Sequence, residues 1–189
     1  MKTLIAAATF AALTLTAGTA PAQFINVRAP AAPREAPARD CGALPGPFDG
    51  KAFAGDGDTI YGTGYGTAIR LWGIQAPELR DHSPGAAKAE TVAGMKTRGA
   101  LEDLLAAADW QVRCVPRKFD RFCRVVASCT TAKGIDPSLE LLKAGHAYGF
   151  WLSDTDDAAQ SIAYARAEAE ARSARRGQWS EWLGEPAKH

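Results

Sequence analysis

Residues 69–78 read IRLWGIQAPE, and this stretch decides how the fold and the chemistry of the chain are interpreted. It is an apolar run that contains one arginine, Arg70, and it ends at a proline followed by Glu78. An arginine on a half-buried strand needs an anionic partner, because an unpaired buried charge is costly. That partner is either a structural carboxylate or a bound phosphate, which a planar guanidinium grips through two parallel hydrogen bonds. Glu78 follows the strand as a general base or as an ordinary surface glutamate.

Two further segments carry groups that suit phosphate chemistry. Arg124 lies in a second apolar run, DRFCRVVA at 120–127, and two such arginines in one small domain favour a phosphate site. Asp56 and Asp58 of the DGDT segment are two residues apart, so in extended chain both carboxylates point the same way. Paired hard oxygens suit Ca²⁺ or Mg²⁺, although an Asp-Gly turn without any ligand explains the segment as well.

The composition fits one ordinary globular domain. The chain has 189 residues, of which 47% are hydrophobic and 23% are charged, which is enough for a single core. The formal net charge is only +1, so any binding to nucleic acid depends on local clustering of basic side chains.

The N-terminal residues have the pattern of an export signal. Lys2 precedes an apolar run at 4–16, and the small residues of Ala20-Pro21-Ala22 predict cleavage before Gln23. A membrane anchor is the alternative, but the run is short and no basic flank follows it. We therefore expect a signal peptide at 1–22 and a secreted or periplasmic protein. A Pro/Ala-rich linker at 23–40 and one domain at 41–189 complete the organisation.

The rest of the chain predicts two groups of strands with helices between and after them. A hairpin is expected around the glycine-rich GTGYG, and two more strands around 110–115 and 123–129, joined by a basic connection. Helices are expected over 93–108, between Asp136 and Gly145, and over 156–176 with Asp154 or Thr155 as the cap. This order favours a small closed barrel with helices packed outside.

Five segments occur in one order and together resemble the thermonuclease, or staphylococcal-nuclease-like, family over about residues 50–182. They are GDGDTI, IRLWGIQAPE, DRFCRVVA, ELLKAGHAY and AEAEARSARRGQW. The resemblance implies an α+β fold, a five-stranded OB-fold β-barrel with three α-helices. It also implies a Ca²⁺-dependent phosphodiesterase whose substrate is DNA, RNA or both. We expect a monomer without membrane association after signal cleavage, and the alternative is a catalytically impaired OB-fold module that only binds nucleic acid.

The resemblance assigns the catalytic roles by position. Arg70 and Arg124 match the two phosphate-binding arginines of the family, and Glu78 matches its catalytic glutamate. Glu78 would orient or deprotonate the attacking water, and the guanidiniums would stabilise the charge that grows on the phosphate oxygens.

The same comparison implies a metal site with one departure from the family. Asp58 matches a calcium-binding aspartate, Ala76 would contribute its backbone carbonyl, and Asp56 is the acidic neighbour behind them. Gln75 stands where the family carries its second calcium-binding carboxylate. Because divalent affinity depends on ligand charge, we expect weak binding of Ca²⁺ or of another divalent ion.

Three residues are candidates for contact with the substrate. Phe122 stands where a family tyrosine commonly contacts phosphate, and Arg121 precedes it. Trp151 falls near a family tyrosine that stacks on a base, where a tryptophan can stack equally well or can simply pack against a helix.

The four cysteines are expected to form disulfides if the chain is exported. They allow three pairings, and the spacing of a zinc site is absent from the sequence. Cys114 and Cys129 are expected on adjacent strands facing each other, which leaves Cys41 with Cys123 and ties the linker to the barrel.

Overall fold

A computed structural model describes residues 40–80, 90–150 and 157–183. The predicted signal peptide, the linker up to residue 39 and Trp151 lie outside the described residues. Their interpretations stay predictions.

A closed five-stranded barrel forms the centre of the domain. Its strands lie in the order β1-β2-β3-β6-β5, and every neighbouring pair is antiparallel except β3 and β6. The bounds are β1 Phe48–Ala54, β2 Thr59–Gly62, β3 Ala68–Leu71, β5 Gln111–Phe119 and β6 Val125–Thr131. A separate two-stranded sheet joins β4 Ile74–Gln75 to β7 Tyr148–Gly149. The barrel and its helices confirm the predicted α+β OB-fold.

The barrel closes because each strand sends apolar side chains into a shared interior. Ile60, Ile69 and Val125 are fully buried there, and Ala52 and Ala54 of β1 are buried with them. Burying such aliphatic side chains contributes about 1.5–3 kcal/mol each.

Three helices of two or more turns and one short helix pack around the barrel in the described part of the chain. They are α1 Val92–Ala106, α2 Pro137–Ala144, α3 Ala158–Ser173 and α4 Trp179–Trp182. The predicted caps of α2 are present, since the Asp136 side chain accepts from the Leu139 N–H and Gly145 adopts φ 73°. The cap of α3 is Asp157, whose side chain accepts from the Gln160 N–H, and not Asp154 or Thr155, which lie outside the described residues.

Two strand predictions are wrong in ways that matter for the site. The run IRLWGI is not one strand, because it turns at Trp72-Gly73, where Gly73 adopts φ 80°, and resumes as β4. Glycine accommodates this left-handed conformation without a steric penalty. The strand predicted around 110–115 continues to Phe119, and the strand predicted from 123 begins only at Val125. Arg124 therefore lies in a loop, one residue before β6, and not inside a strand.

The four cysteines form the two expected disulfides. Cys114 and Cys129 lie directly opposite each other on β5 and β6, with Cα atoms 4.1 Å apart. Cys41 and Cys123 are joined with Cα atoms 5.3 Å apart and link segments 82 residues apart in the chain. Both Cα distances lie near or within the usual range for disulfides. Within the described segments, no helix combines the length and the apolar character needed to cross a membrane.

Candidate active site

A cleft of about 370 Å³ opens where β3, β4 and the loop before β6 meet. It brings Arg70, Glu78 and Arg124 together, although they are far apart in the sequence. The remaining lining residues are Gln75, Asp120, Arg121, Phe122 and Phe150. Three guanidiniums and two carboxylates line the cleft, and Asp58, which pairs with Arg70, balances the third guanidinium, so the cleft offers an anion well-placed donors and not a net positive charge.

Arg70 is held at the floor of the cleft by Asp58. Both side chains are only 4% exposed, and the guanidinium meets the carboxylate edge to edge, Nη1 to Oδ1 and Nη2 to Oδ2, at 2.9 Å each. Bidentate pairs of this kind are the strongest ion pairs in proteins and fix the plane of the guanidinium. Of the two partners that the sequence left open for Arg70, the structure shows the structural carboxylate, and the same guanidinium also lines the cleft.

Asp58 uses both carboxylate oxygens fully. Oδ1 also accepts from the Thr59 hydroxyl at 3.1 Å, and Oδ2 accepts from the Ala76 N–H at 3.0 Å. Burial raises the pKa of Asp58 to about 6, while the Arg70 guanidinium opposes this shift and Asp56 adds to it. Asp56 itself lies in a bend, where its Oδ1 accepts from the Asp58 N–H at 3.1 Å. The segment is therefore bent and not extended, so the alternation of side chains that would align the two carboxylates does not apply.

Gln75 connects the buried arginine to the exposed glutamate. Its Oε1 accepts from Arg70 Nη2 at 2.6 Å, and its Nε2 donates to the Ala76 carbonyl at 3.2 Å and to Glu78 Oε1 at 3.3 Å. Glu78 is exposed, while the neighbouring Ala76 is buried. The amide N–H₂ of Gln75 thus lies between the Ala76 carbonyl and the Glu78 carboxylate and donates to both.

The calcium site that the resemblance implies does not fit the donors present here. Calcium takes six to eight oxygen ligands. Each Asp58 oxygen already has two partners, and the side chain of Gln75 turns its N–H₂, not its oxygen, toward Ala76 and Glu78. Across the described ranges, no three His, Cys, Asp or Glu side chains are placed to hold a metal ion.

Asp120 organises the loop that carries the second arginine. Its Oδ1 accepts from the N–H groups of Phe122 and Arg124, and its Oδ2 accepts from Arg124 Nε at 2.7 Å. The Asp120 side chain is 3% exposed and that of Arg124 is 31% exposed. Arg124 therefore has a fixed stem and a guanidinium that solvent and ligands can reach. The sequence analysis missed Asp120. The signal that could have indicated it is an aspartate at a turn, four residues before an arginine.

Replacing Asp120 by asparagine should destabilise the protein by about 1–3 kcal/mol, because a buried acceptor of charge-assisted hydrogen bonds is lost. Burial alone would raise the pKa of Asp120, but hydrogen bonds from Arg124 and Phe122 hold it below its usual value. A lowered pKa gives stability that is present above the unfolded value of about 3.9 and is lost as the pH falls through the folded value. Urea unfolding should therefore separate the two proteins at neutral pH and bring them together in acid. An equal difference at both pH values would contradict this role.

The disulfide between Cys41 and Cys123 anchors the same loop. Cys123 directly precedes Arg124 and adopts φ 61°, a left-handed conformation that is uncommon for any residue except glycine. The sulfur bridge therefore fixes the backbone directly before Arg124, and Asp120 holds the N–H and the Nε of Arg124 itself.

Removing this bridge with Cys41→Ser and Cys123→Ser should lower the free energy of unfolding by about 2–4 kcal/mol and weaken the binding of a phosphate anion in the cleft. The matched control is Cys114→Ser with Cys129→Ser, which unlinks two adjacent barrel strands whose cysteines do not line the cleft. Urea unfolding and a titration with inorganic phosphate give the comparison for both variants. If phosphate binding weakens equally in both, the loop bridge has no special role at the site.

Two aromatic side chains line the cleft. Phe122 is 56% exposed, and the guanidiniums of Arg121 and Arg124 lie 4.7 and 5.6 Å from the centre of its ring. Phe150 is the second, and its N–H donates to the Gly73 carbonyl. The next residue, Trp151, was the predicted stacking residue. Phe150 was missed because only the pairing of β4 with β7 brings it to the cleft.

Tyr148 is a third residue that sequence reasoning missed, after Asp120 and Phe150. It pairs with Gln75 across the small sheet, and its ring is 6.0 Å from that of Trp182. Burial, together with the charge of Asp58, raises the pKa of its phenol, which therefore stays protonated as a hydrogen-bond donor at neutral pH.

Comparison with known proteins gives one family match. The model of the family described as staphylococcal nuclease homologue matches residues 68–181, which include the strands and loops that carry Arg70, Glu78 and Arg124. No curated protein matches the chain.

Proposed function

This chain belongs to the staphylococcal nuclease homologue family, and on that premise we propose that it is an exported phosphodiesterase that hydrolyses DNA, RNA or both in the cleft. The observation that carries the proposal is one solvent-open cleft lined by Arg70, Arg124 and Glu78. A phosphate between two guanidiniums, next to a carboxylate that can activate water, is the arrangement that hydrolysis needs.

The proposed role of each charged residue in the cleft follows from how exposed its side chain is. Arg70, oriented by Asp58, fixes one side of the phosphate, and Arg124, the more exposed guanidinium, closes on it from the loop. Glu78 takes a proton from water as the water oxygen bonds to phosphorus. The bond from phosphorus to the leaving oxygen then breaks, and that oxygen takes a proton from solvent. No step is routed through a metal ion, because the donors do not fit one.

The surrounding aromatic residues suit a nucleic-acid substrate. Phe122 and Phe150 line the cleft, and stacking on an exposed aromatic ring is worth about 1–3 kcal/mol per base. Stacking does not depend on base identity, which agrees with a nuclease of broad specificity.

The proposal includes export of the protein from the cytosol. Two disulfides suit an oxidising compartment, whereas cytosolic thiols are kept reduced. We therefore assign 1–22 as the signal peptide, 23–40 as a linker and 41–189 as the working domain of a secreted or periplasmic monomer.

A nucleic-acid-binding module without activity is the second candidate. The replacement of a carboxylate by Gln75 favours it, because a cleft that keeps both arginines without a metal can bind phosphates without cleaving them.

Incubating the purified protein with end-labelled single-stranded DNA, double-stranded DNA and RNA separates the two functions. The series is run in Ca²⁺, Mg²⁺, Mn²⁺ and EDTA, with a filter-binding measurement in parallel. We expect cleavage of at least one substrate. Binding without cleavage under every condition would establish the second candidate instead.

A further inference from the structure

The polar groups around Gln75 are arranged as if a cation lay between them. The Ala76 carbonyl and Glu78 Oε1 both accept from the same nitrogen, Gln75 Nε2, at 3.2 and 3.3 Å. Carbonyl and carboxylate oxygens repel each other unless a positive group lies between them. The amide N–H₂ is that positive group here.

The orientation of the Gln75 amide is fixed by its neighbours. A guanidinium only donates hydrogen bonds, so the group that faces Arg70 Nη2 at 2.6 Å must be the amide oxygen. The nitrogen then faces the carbonyl and the carboxylate, which only accept. Turning the amide over would set donor against donor on one side and acceptor against acceptor on the other.

The charge that a metal would bring to Asp58 is also supplied by the protein. Arg70 meets both oxygens of this carboxylate at 2.9 Å, and Thr59 and Ala76 donate the remaining hydrogen bonds. A divalent ion would have to displace a buried bidentate guanidinium to reach Asp58.

We infer that the Gln75 side-chain amide takes the place of a resident divalent cation in this cleft, with Arg70 supplying the positive charge. Gln75 is therefore a positioning residue that holds Glu78, and the cleft works without bound metal. The inference rests on the proposed phosphodiesterase function for its activity arm only. It replaces the expectation of a weak calcium site with an expectation of none.

The inference predicts that one substitution converts the cleft into a cation-binding site. Gln75→Asp would replace the amide by a carboxylate near the Ala76 carbonyl and Glu78 Oε1, and together these are oxygens that a hard cation prefers. Gln75→Ala removes the amide without adding an oxygen and is the matched control.

Calcium titration of the wild-type protein, Gln75→Asp and Gln75→Ala by isothermal calorimetry tests the inference. We expect no binding heat from the wild type or Gln75→Ala up to about 10 mM, well above the ~10⁻⁴–10⁻³ M of weak extracellular sites. Gln75→Asp should bind calcium in that range, and its melting temperature should rise with added calcium. The wild-type cleavage rate should agree within about twofold between EDTA and calcium, a change of less than ~0.5 kcal/mol in the activation barrier.

The wild-type measurements decide the matter even if Gln75→Asp does not fold. Saturable calcium binding by the wild type, or cleavage abolished by EDTA and restored by calcium, would overturn the inference. If the wild type binds no calcium and cleaves nothing under any condition, the proposed function fails while the role of the amide stands.

Discussion

Replacing Glu78 by glutamine should lower the cleavage rate by roughly 10²–10⁴-fold, the usual contribution of a positioned general base. Glutamine has nearly the same size but cannot accept the proton of the attacking water. The side chain is exposed, and its contact with Gln75 Nε2 is long, at 3.3 Å. The free energy of unfolding of the Glu78→Gln variant should therefore differ from that of the wild type by no more than about 0.5 kcal/mol. Steady-state kinetics with the best substrate of the panel, together with urea unfolding, measures both quantities.

Binding should survive this substitution, because the two guanidiniums remain in place and one negative charge near the phosphate is removed. Glu181→Gln is the matched control, since it makes the same chemical change at an exposed carboxylate that pairs with Lys96 and does not line the cleft. It should leave cleavage unchanged. If Glu78→Gln retains the wild-type rate, Glu78 is not the base and the proposed mechanism is wrong.

The sequence predicted the parts of the fold that depend on local patterns. The glycine-rich GTGYG segment predicted the hairpin of β2 and β3, and Asp136 and Gly145 predicted the ends of α2. The break at Trp72-Gly73 was not predicted, because an apolar run with one glycine is compatible with a continuous buried strand as well as with a turn.

The candidate site was predictable in its charged residues and not in their connections. Arg70 stood out because an arginine in an apolar run needs a partner, but its pairing with Asp58 depends on the register of β2 and β3. The part played by Asp120 depends on a tight turn, and that of Phe150 on the pairing of two very short strands. The contacts of Arg70 and Phe150 join separate strands, and the contact of Asp120 depends on the shape of a turn, so no periodicity in the sequence reports them.

Replacing Arg70 by methionine should destabilise the protein by about 3–5 kcal/mol, the usual effect of breaking a buried ion pair by removing one partner. Asp58 would keep the hydrogen bonds from Thr59 and Ala76 but would lose the guanidinium that neutralises it inside the protein. The melting temperature should fall by about 6–20 °C, since each kcal/mol corresponds to roughly 2–4 °C at this chain length. Where the variant folds, cleavage should fall by roughly 10²–10³-fold, as when one donor to the reacting oxygens is lost.

A double-mutant cycle separates the structural role of Arg70 from its role at the phosphate. Asp58→Asn combined with Arg70→Met removes both charges, so it should recover a large part of the lost stability, with a coupling energy of about 0.5–3 kcal/mol. Cleavage should not recover, because the phosphate still lacks its guanidinium. Arg70→Lys keeps the charge without the planar fork and should be intermediate in stability. If the double variant regained cleavage along with stability, Arg70 would serve only to neutralise Asp58, and the phosphate would be held by Arg124 alone.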